Sequence, residues 1–402
     1  MTRVAEMFAG VGGFRLGLEG YGKPGDGLFA PSAGDFETVW ANQWEPDGRE
    51  SKQFAWRLYE SRFGEGSCVN EDVSIVLDEY EAGVREIPDF DLLVGGFPCQ
   101  DYSVSKPAPM AKGIEGKKGE LWWDIRRMID LKRPKYVLLE NVDRLLKSPT
   151  ARRGRDFAII LSCLAQLGYC VEWLVVNAAD YGMPQRRRRV FIFACPREDI
   201  GVLQTAFPFE MKGAESEFYV PEDPYEAAQS FGDPKKSPFK KYGRMNGCYV
   251  FTCDVEPKYG GPRMTLGDVL SPDSEVPERF FIEESKLPRW EYLKGAKKEK
   301  RTARNGHVYD YSEGPVAFPD ARHKPSRTIL TSEGGSSPSR MKHAVIGDSC
   351  RFRRLTGDEL DALQCFPRGW TEGLTDNQRA FCMGNALVVE IPRRIGRVID
   401  SL

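Results

Sequence analysis

The stretch Phe8-Ala9-Gly10-Val11-Gly12-Gly13 directly follows the first predicted strand, residues 3–7, and opens an amphipathic segment. Glycines at a strand-to-helix junction permit a sharp turn and a close approach of the backbone to a ligand, as a nucleotide-type cofactor requires. The spacing is FxGxGG and not GxGxxG, so a purely structural glycine turn is the alternative for this motif alone. We expect the motif to follow the first strand of a parallel sheet.

Short apolar runs alternate with longer amphipathic segments through about the first 200 residues. This alternation is typical of an α/β fold. The predicted strands are residues 3–7, 38–41, 92–94, 136–140, 170–177 and 189–194, and the predicted helices are residues 122–131, 155–167, 357–364 and 388–398. Ligands bind beyond the carboxyl ends of the strands in open parallel sheets, so polar clusters at those ends are candidate site residues.

Composition restricts the class of protein. The 402 residues, of which 41% are hydrophobic and 29% charged, predict one large domain and one smaller domain. The sequence has no apolar run long enough to span a membrane, its ten cysteines form no CxxC pair, and it has three histidines. We therefore expect a cytoplasmic protein with reduced thiols, without a membrane segment and without a metal site.

The composition of the sequence changes after residue 204, where Pro, Gly, Lys and aromatic residues become more frequent and helical periodicity is lost. We expect a catalytic and cofactor-binding domain at residues 1–204, completed by residues 375–402. A second, smaller, irregular and β-rich domain is expected at residues 205–350, followed by a hinge segment at residues 351–374.

The segment Gly95-Gly96-Phe97-Pro98-Cys99-Gln100 follows the predicted strand at residues 92–94. A thiolate is a soft nucleophile suited to attack on an electron-poor carbon. A small core thiol is the alternative, but the preceding glycines and the polar segment at residues 106–120 favour an exposed Cys99.

Glu140 ends the predicted strand at residues 136–140, so we expect it at the same edge of the sheet as Cys99. A carboxyl held there can act as an acid, and a solvent-facing carboxylate is the alternative.

Arginines are concentrated at residues 186–189, directly before an apolar strand. Strand alternation places Arg187 and Arg189 on one face, so that one pair can serve a site while the other pair meets phosphate or acidic side chains. Residues 286–304 carry eight basic and two acidic side chains, which indicates either a phosphate-binding surface or a solvated charged face. The net charge of -2 argues against a protein that coats nucleic acid along its whole surface, but it allows a local basic cleft.

Together these motifs resemble, in the same order, those of the DNA cytosine-5 methyltransferase family. The motifs are Phe8 to Gly13, Pro98-Cys99-Gln100, Glu140-Asn141-Val142, Gln185-x-Arg187-x-Arg189 and Gly384-Asn385-Ala386. The resemblance covers essentially the whole chain and is closest to the bacterial restriction-modification type. It implies a Rossmann-like mixed α/β sheet of the S-adenosylmethionine-dependent methyltransferases, with a second, smaller target-recognition domain.

The resemblance also implies the reaction. A methyl group would pass from S-adenosyl-L-methionine to C5 of a cytosine flipped out of a specific duplex DNA sequence, through a covalent bond between Cys99 and C6. Glu140 would hydrogen-bond the base at N3, and Arg189 would hold O2 with Arg187 beside it. Residues 103–119 are similar to the family's mobile loop that closes over the flipped base.

Further site residues follow from the same resemblance. Cofactor contacts are expected at Phe8, Gly10, Val11, Gly13, Gln43, Trp44, Glu45, Asp72, Pro98, Leu121 and Asn385. The family usually has an acid before the aromatic residue of its second motif, whereas this chain has Gln43-Trp44-Glu45, so either Gln43 or Glu45 is expected to contact the ribose. DNA contacts are expected at Gln100, Ser103, Arg327, Thr328 and Arg340.

The expected partners are double-stranded DNA, which the chain would bind as a monomer, and a cognate restriction endonuclease without a stable complex. One alternative is an RNA cytosine-5 methyltransferase, but the sizeable variable domain favours duplex DNA. A DNA-binding protein without the reaction is a second alternative, against which the presence of Cys99 and Glu140 argues. A nicotinamide-dependent oxidoreductase explains the glycine turn but none of the later motifs.

Overall fold

The chain packs as two compact units. The computed structural model describes residues 1–46, 48–97, 121–196, 201–302 and 306–402. The first unit comprises Met1–Gly182, Arg187–Pro262 and Leu387–Leu402, and the second comprises Met183–Arg186 and Arg263–Ala386. These units differ from the boundaries expected at residues 204 and 350, because residues 205–262 pack with the first unit and residues 351–386 with the second.

A mixed sheet forms the centre of the first unit. The strands of the two units, numbered along the chain, are β1 Thr2–Met7, β2 Phe36–Asn42, β3 Leu92–Gly96, β4 Tyr136–Val142, β5 Cys170–Asn177, β6 Arg188–Cys195, β7 Phe209–Tyr219, β8 Tyr242–Asn246, β9 Tyr249–Pro257, β10 Lys297–Thr302, β11 Val308–Glu313, β12 Val345–Ile346 and β13 Phe352–Arg353. Within the described ranges, β1 to β9 form a nine-stranded sheet in the order β2-β1-β3-β4-β6-β5-β8-β9-β7. The first four strands in that order pair in parallel, and the other neighbours pair antiparallel. The predicted α/β class is confirmed.

The central strands are buried along most of their length, and β4 and β6 carry near-continuous apolar runs. Such runs are typical of strands that are covered on both faces. Strand β7 lies at the edge of the sheet and is mostly exposed. Polar side chains therefore cluster where the central strands end, and these ends position the candidate site.

Helices cover this sheet and complete the second unit. They are α1 Gly13–Leu18, α2 Phe54–Phe63, α3 Val73–Glu81, α4 Leu121–Lys132, α5 Arg155–Gln166, α6 Val202–Ala206, α7 Pro224–Ser230, α8 Leu287–Lys294, α9 Gly357–Leu363, α10 Asp376–Asn385 and α11 Glu390–Asp400. Residues of α3, α4 and α5 share one buried apolar cluster with the central strands. No helix in the described part of the chain is long and apolar enough to cross a membrane.

Helix α11 returns the chain to the first unit and packs against α1. Gly17 of α1 permits this close approach, because an added Cβ would lie 2.8 Å from Pro392 Cγ and 3.0 Å from the Val389 carbonyl oxygen. Arg393 donates from Nε to the carbonyl oxygen of Pro31 at 2.8 Å, which fixes the helix further. Helix α11 thus packs against the helix that follows residues 8–12.

The second unit combines α8 to α10 with two short antiparallel sheets, one made of β10 and β11 and the other of β12 and β13. Arg353 is fully buried in this unit. Its guanidinium Nε lies 2.8 Å from Asp273 Oδ1, and its Nη2 lies 2.9 Å from Glu359 Oε1. This paired charge cluster joins α9 to the loops that precede it.

Candidate active site

The glycine loop leaves β1 in a left-handed conformation. Phe8, Gly10 and Gly12 have φ values of 56°, 57° and 80°. At Gly12 a Cβ would lie 2.4 Å from Phe63 Cε2, whereas at Gly10 it would meet no atom of the described residues within 4 Å. The backbone N–H of Ala9 donates to the carbonyl oxygen of Asn42 at 2.9 Å, so the loop is tied to the end of β2. The loop is therefore a fixed turn with open space beside Gly10.

Glu6 lies on β1 directly before this loop and is fully buried. Its Oε1 accepts from the backbone N–H of Phe14 at 3.3 Å, and its Oε2 accepts from the Tyr59 hydroxyl at 3.1 Å. Burial raises the pKa of Glu6 from 4.5 to about 7. This carboxyl, which sequence reasoning missed, connects β1 with the first turn of α1, and its only signal was an acid within an apolar strand.

The structure brings Gln43 and Glu45 to the glycine loop. Gln43 Oε1 accepts from the backbone N–H of Gly10 at 2.7 Å, and Gln43 Nε2 lies 3.4 Å from Glu45 Oε1. Gln43 is buried, whereas Trp44 and Glu45 are half-buried. The amide oxygen of Gln43 is therefore occupied by the loop, and Glu45 lies next to it as a carboxylate.

The remaining predicted cofactor residues have varied surroundings. Asp72 caps α3, where its Oδ1 accepts from the Ser74 backbone N–H at 3.0 Å and from the Ser74 hydroxyl at 2.9 Å. Val11 is buried and Gly13 begins α1, while Leu121 begins α4 and is half-buried. Asn385 ends α10, belongs to the second unit and is exposed.

Glu140 and Arg189 form an ion pair at the end of the parallel strands. Arg189 Nε lies 2.8 Å from Glu140 Oε1, and the two side chains are 17% and 12% exposed. Glu140 pairs in register with Gly96, the last residue of β3, where an added Cβ would lie 3.3 Å from Glu140 Oε2. Gly96 thus leaves room for the carboxyl beside the strand that leads to residues 98–100.

The run of arginines alternates in exposure as strand geometry requires. Arg187 is buried and Arg189 half-buried, whereas Arg186 and Arg188 are exposed. The carbonyl oxygen of Arg187 accepts from the backbone N–H of Ala178 at 3.0 Å. Arg187 and Arg189 are therefore the inward members of the run.

Asn141 holds the end of β3 in place. Its Nδ2 donates to the carbonyl oxygen of Phe97 at 3.2 Å, and its Oδ1 accepts from the backbone N–H of Val142 at 2.8 Å. Asn141 is buried, so both hydrogen bonds are shielded from water. The predicted residues Pro98, Cys99, Gln100 and Ser103 follow Phe97 and, together with the rest of the 103–119 loop, lie outside the described residues.

In the second unit, the residues predicted to bind DNA make internal contacts. Arg327 forms a bidentate ion pair with Asp320, in which Nε lies 2.7 Å from Oδ1 and Nη2 lies 3.1 Å from Oδ2. Arg340 Nη1 lies 3.2 Å from Glu313 Oε2, and the Thr328 hydroxyl donates to the carbonyl oxygen of Arg186. These side chains organise the unit, and their contact with DNA stays a prediction.

Gln185 has a structural role that the sequence did not assign. Its Oε1 accepts from the backbone N–H of Ile329 at 3.0 Å, and its Nε2 donates to the carbonyl oxygen of Leu363 at 3.1 Å. Gln364 continues the network, because its Nε2 donates to the carbonyl oxygen of Ala386 at 3.0 Å. The two glutamine side chains therefore link separate segments of the second unit.

Comparison with known proteins identifies the family. The model of the C-5 cytosine-specific DNA methylase family matches residues 2–401. Type II methyltransferase M.Sau3AI of Staphylococcus aureus is 43% identical over 100% of this chain and 96% of its own length. Type II methyltransferase M.HaeII of Haemophilus aegyptius is 33% identical over 100% of this chain and 93% of its own length.

Solved structures give the same fold. The Entamoeba histolytica methyltransferase EhMeth has a TM-score of 0.61 at 15% identity, and the match covers 100% of this chain and 98% of that one. A putative DNA modification methyltransferase encoded within an Escherichia coli prophage has a TM-score of 0.54 at 15% identity, with 100% and 99% covered. The family model over residues 2–401 and the 43% identity over the whole chain show that the chain belongs to the C-5 cytosine-specific DNA methylase family.

Proposed function

We propose that this DNA cytosine-5 methyltransferase transfers a methyl group from S-adenosyl-L-methionine to a flipped cytosine through a covalent bond to Cys99. The observation that carries the proposal is the meeting of three strand ends. Met7 of β1 pairs with Gly95 of β3, and Gly96 pairs with Glu140 of β4. The glycine loop and the Pro98–Gln100 motif thus follow β1 and β3 in the sequence, and Glu140 lies near the end of the adjacent parallel strand β4, where open α/β sheets bind their ligands.

The residues of the glycine loop fit S-adenosyl-L-methionine. No atom of the described residues lies within 4 Å of the position that a Cβ at Gly10 would take, and Gln43 fixes the loop by its hydrogen bond to Gly10. When bound, this cofactor supplies an electrophilic methyl group on a sulfonium centre. Trp44 would stack on the adenine and Asp72 would meet its amino group.

Of the two candidates for the ribose contact, we propose Glu45. The amide oxygen of Gln43 already accepts from Gly10, whereas the half-buried Glu45 has two carboxylate oxygens that can accept hydrogen bonds from ribose hydroxyls besides the one from Gln43. Gln43 would then support both the glycine loop and Glu45, with which it is in contact at 3.4 Å.

The residues at the strand ends would perform the reaction. Addition of the Cys99 thiolate to C6 would break the C5–C6 double bond and make C5 nucleophilic, so that C5 could bond to the methyl group while the methyl–sulfur bond breaks and S-adenosyl-L-homocysteine leaves. Glu140 would hydrogen-bond N3, and Arg189, already paired with Glu140, would hold O2. Loss of the C5 proton to a base and elimination of the Cys99 thiolate would release 5-methylcytosine.

The second unit would supply sequence recognition. It holds most of the variable region, including Arg327, Thr328 and Arg340. The relatives that match over the whole chain are type II methyltransferases, which supports a restriction-modification role beside an independent endonuclease. We propose that the chain acts as a monomer on double-stranded DNA.

The test is incubation with tritiated S-adenosyl-L-methionine and unmethylated duplex DNA, followed by bisulfite sequencing of the product. Label should appear at cytosine C5 within one short sequence and should be lost in Cys99→Ser. Cys350→Ser is the matched control, because Cys350 is an exposed thiol of the second unit. Label in RNA but not in DNA, or substantial turnover by Cys99→Ser, would overturn the proposal.

A further inference from the structure

Strands β10 and β11 form a two-stranded ribbon that is separate from the large sheet. The strands pair antiparallel over six residue pairs, from Lys297 opposite Glu313 to Thr302 opposite Val308. An isolated two-stranded ribbon is only marginally stable in water, so contacts at its base must hold it. Successive side chains alternate between the two faces of such a ribbon.

The inner face contacts the body of the second unit. It consists of Lys297, Glu299, Arg301, Tyr309, Tyr311 and Glu313. Lys297 Nζ donates to the carbonyl oxygen of Leu293 at 3.1 Å and lies 3.2 Å from Glu313 Oε2. Arg340 lies 3.2 Å from the same Glu313 oxygen, so the base of the ribbon is bound on both strands.

The remaining inner-face cation is also neutralised. Arg301 Nη2 lies 2.6 Å from Glu299 Oε1, and its guanidinium carbon lies 3.4 Å from the centre of the Tyr311 ring. The basic residues of this face therefore serve the ribbon itself and not an external ligand.

The outer face is exposed, and its lysines have no salt bridge within the described residues. It consists of Lys298, Lys300, Thr302, Val308, Asp310 and Ser312, all of which are exposed. Within the described ranges, neither Lys298 nor Lys300 has a salt bridge, although Asp310 lies in register opposite Lys300. The outer face thus presents two lysines on one strand that form no salt bridge within the described residues, and its partner strand carries one carboxylate, that of Asp310.

We propose that the outer face of the β10–β11 ribbon lies against duplex DNA, with Lys298 and Lys300 on backbone phosphates. This inference rests on the proposed function, since it names the element of the second unit that contacts the substrate. The major groove of B-DNA, about 12 Å wide, admits a two-stranded ribbon. Two lysines two residues apart on a strand are separated by about 6.8 Å. Over that length of helix axis each DNA strand carries about two phosphates.

Arg340 holds the base of the ribbon, while its predicted contact with DNA stays a prediction. It contacts Glu313 of β11 and the carbonyl oxygens of Leu293 and Gly295, at 3.1 Å and 3.3 Å. It is therefore a positioning residue that sets the direction of the ribbon.

The experiment compares the double variant Lys298→Ala/Lys300→Ala with wild type in fluorescence anisotropy on labelled duplex DNA, from about 0.05 to about 0.2 M salt. Affinity should fall at least about tenfold at 0.1 M salt, and the slope of log affinity against log salt should decrease by about 2, because each phosphate contact contributes about 0.9. Lys298→Arg/Lys300→Arg should restore both values.

The matched control is Lys235→Ala/Lys236→Ala, which removes two exposed positive charges from the first unit. Equal melting temperatures of all variants show that folding is unchanged. If wild type methylates DNA but the ribbon variant keeps its affinity and slope, the ribbon proposal alone is wrong. If wild type neither binds nor methylates DNA, both proposals are wrong, and an effect confined to duplex RNA also overturns the ribbon proposal.

Discussion

Glu6→Gln gives a direct test of the buried acid that directly precedes the glycine loop. Burial opposes the charged form of Glu6, while the hydrogen bonds from Tyr59 and Phe14 favour it, and the net result is a pKa of about 7. The other titratable groups that face it are Tyr59, Arg15 and Cys68. Their pKa values are raised above their ordinary ranges, so Glu6 alone among them titrates between pH 4.5 and about 7.

The sign follows from proton linkage. The folded state binds the Glu6 proton more tightly than the unfolded state, so the free energy of unfolding falls as the pH rises through this window. The loss is absent well below pH 4.5 and complete above about pH 7. A rise in pKa from 4.5 to about 7 corresponds to a total of about 3 kcal/mol. Between about pH 5 and about pH 8, we expect the free energy of unfolding to fall by about 2 kcal/mol.

The glutamine variant removes the charge and keeps the contacts. Its amide oxygen can accept from Phe14, and its amide nitrogen can donate to the Tyr59 oxygen. Native-state hydrogen exchange of β1 and α1 amides at several pH values measures the opening free energy locally, and the profile of Glu6→Gln should be flatter than that of wild type by about 2 kcal/mol. Glu65→Gln, at an exposed position of the same unit, is the control. Parallel profiles for wild type and Glu6→Gln would refute the reasoning.

Two further predictions concern packing, one in each unit. Gly12→Ala should lower stability and cofactor affinity far more than Gly10→Ala, because both glycines have positive φ but a Cβ at Gly12 would lie 2.4 Å from Phe63; equal melting temperatures of the two variants would contradict this. Arg353→Ala should cost about 3–5 kcal/mol in the second unit, because it leaves the buried carboxylates of Asp273 and Glu359 unpaired. The control is Arg301→Ala, which removes a half-buried arginine of the same unit and should lower the free energy of unfolding by about 1 kcal/mol or less, measured by denaturant unfolding. If both variants lose a similar free energy of unfolding, the cost does not come from unpairing the buried carboxylates.

The sequence predicted the central strands well, because their apolar runs are bounded by glycines and polar clusters. Strand β5 was expected at residues 170–177 and is Cys170–Asn177, and α5, expected at residues 155–167, is Arg155–Gln166. The closing helix was expected at residues 388–398 and is Glu390–Asp400, within the usual uncertainty of helix ends.

The prediction was poorer where exposure removes the periodic signal. Strand β7 is mostly exposed at the sheet edge, and β10 consists almost entirely of charged residues, so neither has the alternation that marks a half-buried strand. Residues 205–262 were therefore assigned to an irregular second domain, although β7, β8 and β9 extend the main sheet.

The candidate site shows the same limit for individual side chains. The order of the motifs predicted which strand ends carry Glu140 and the glycine loop, because topology follows from the alternation of strands and helices. The sequence could not show that Gln43 binds Gly10, or that Arg340 binds Glu313, since both depend on contacts between distant segments. A polar residue near a site can support the backbone as readily as it can contact a ligand.

The packing of α11 against α1 has a consequence for biosynthesis. Helix α1 follows the glycine loop near the start of the sequence, but Gly17 can contact Pro392 and Val389 only after residues 387–402 have been made. The whole second unit is translated between these two partners. On the ribosome, α1 therefore stays without this partner until α11 has been made, so the first unit completes its packing only after the whole second unit has been translated.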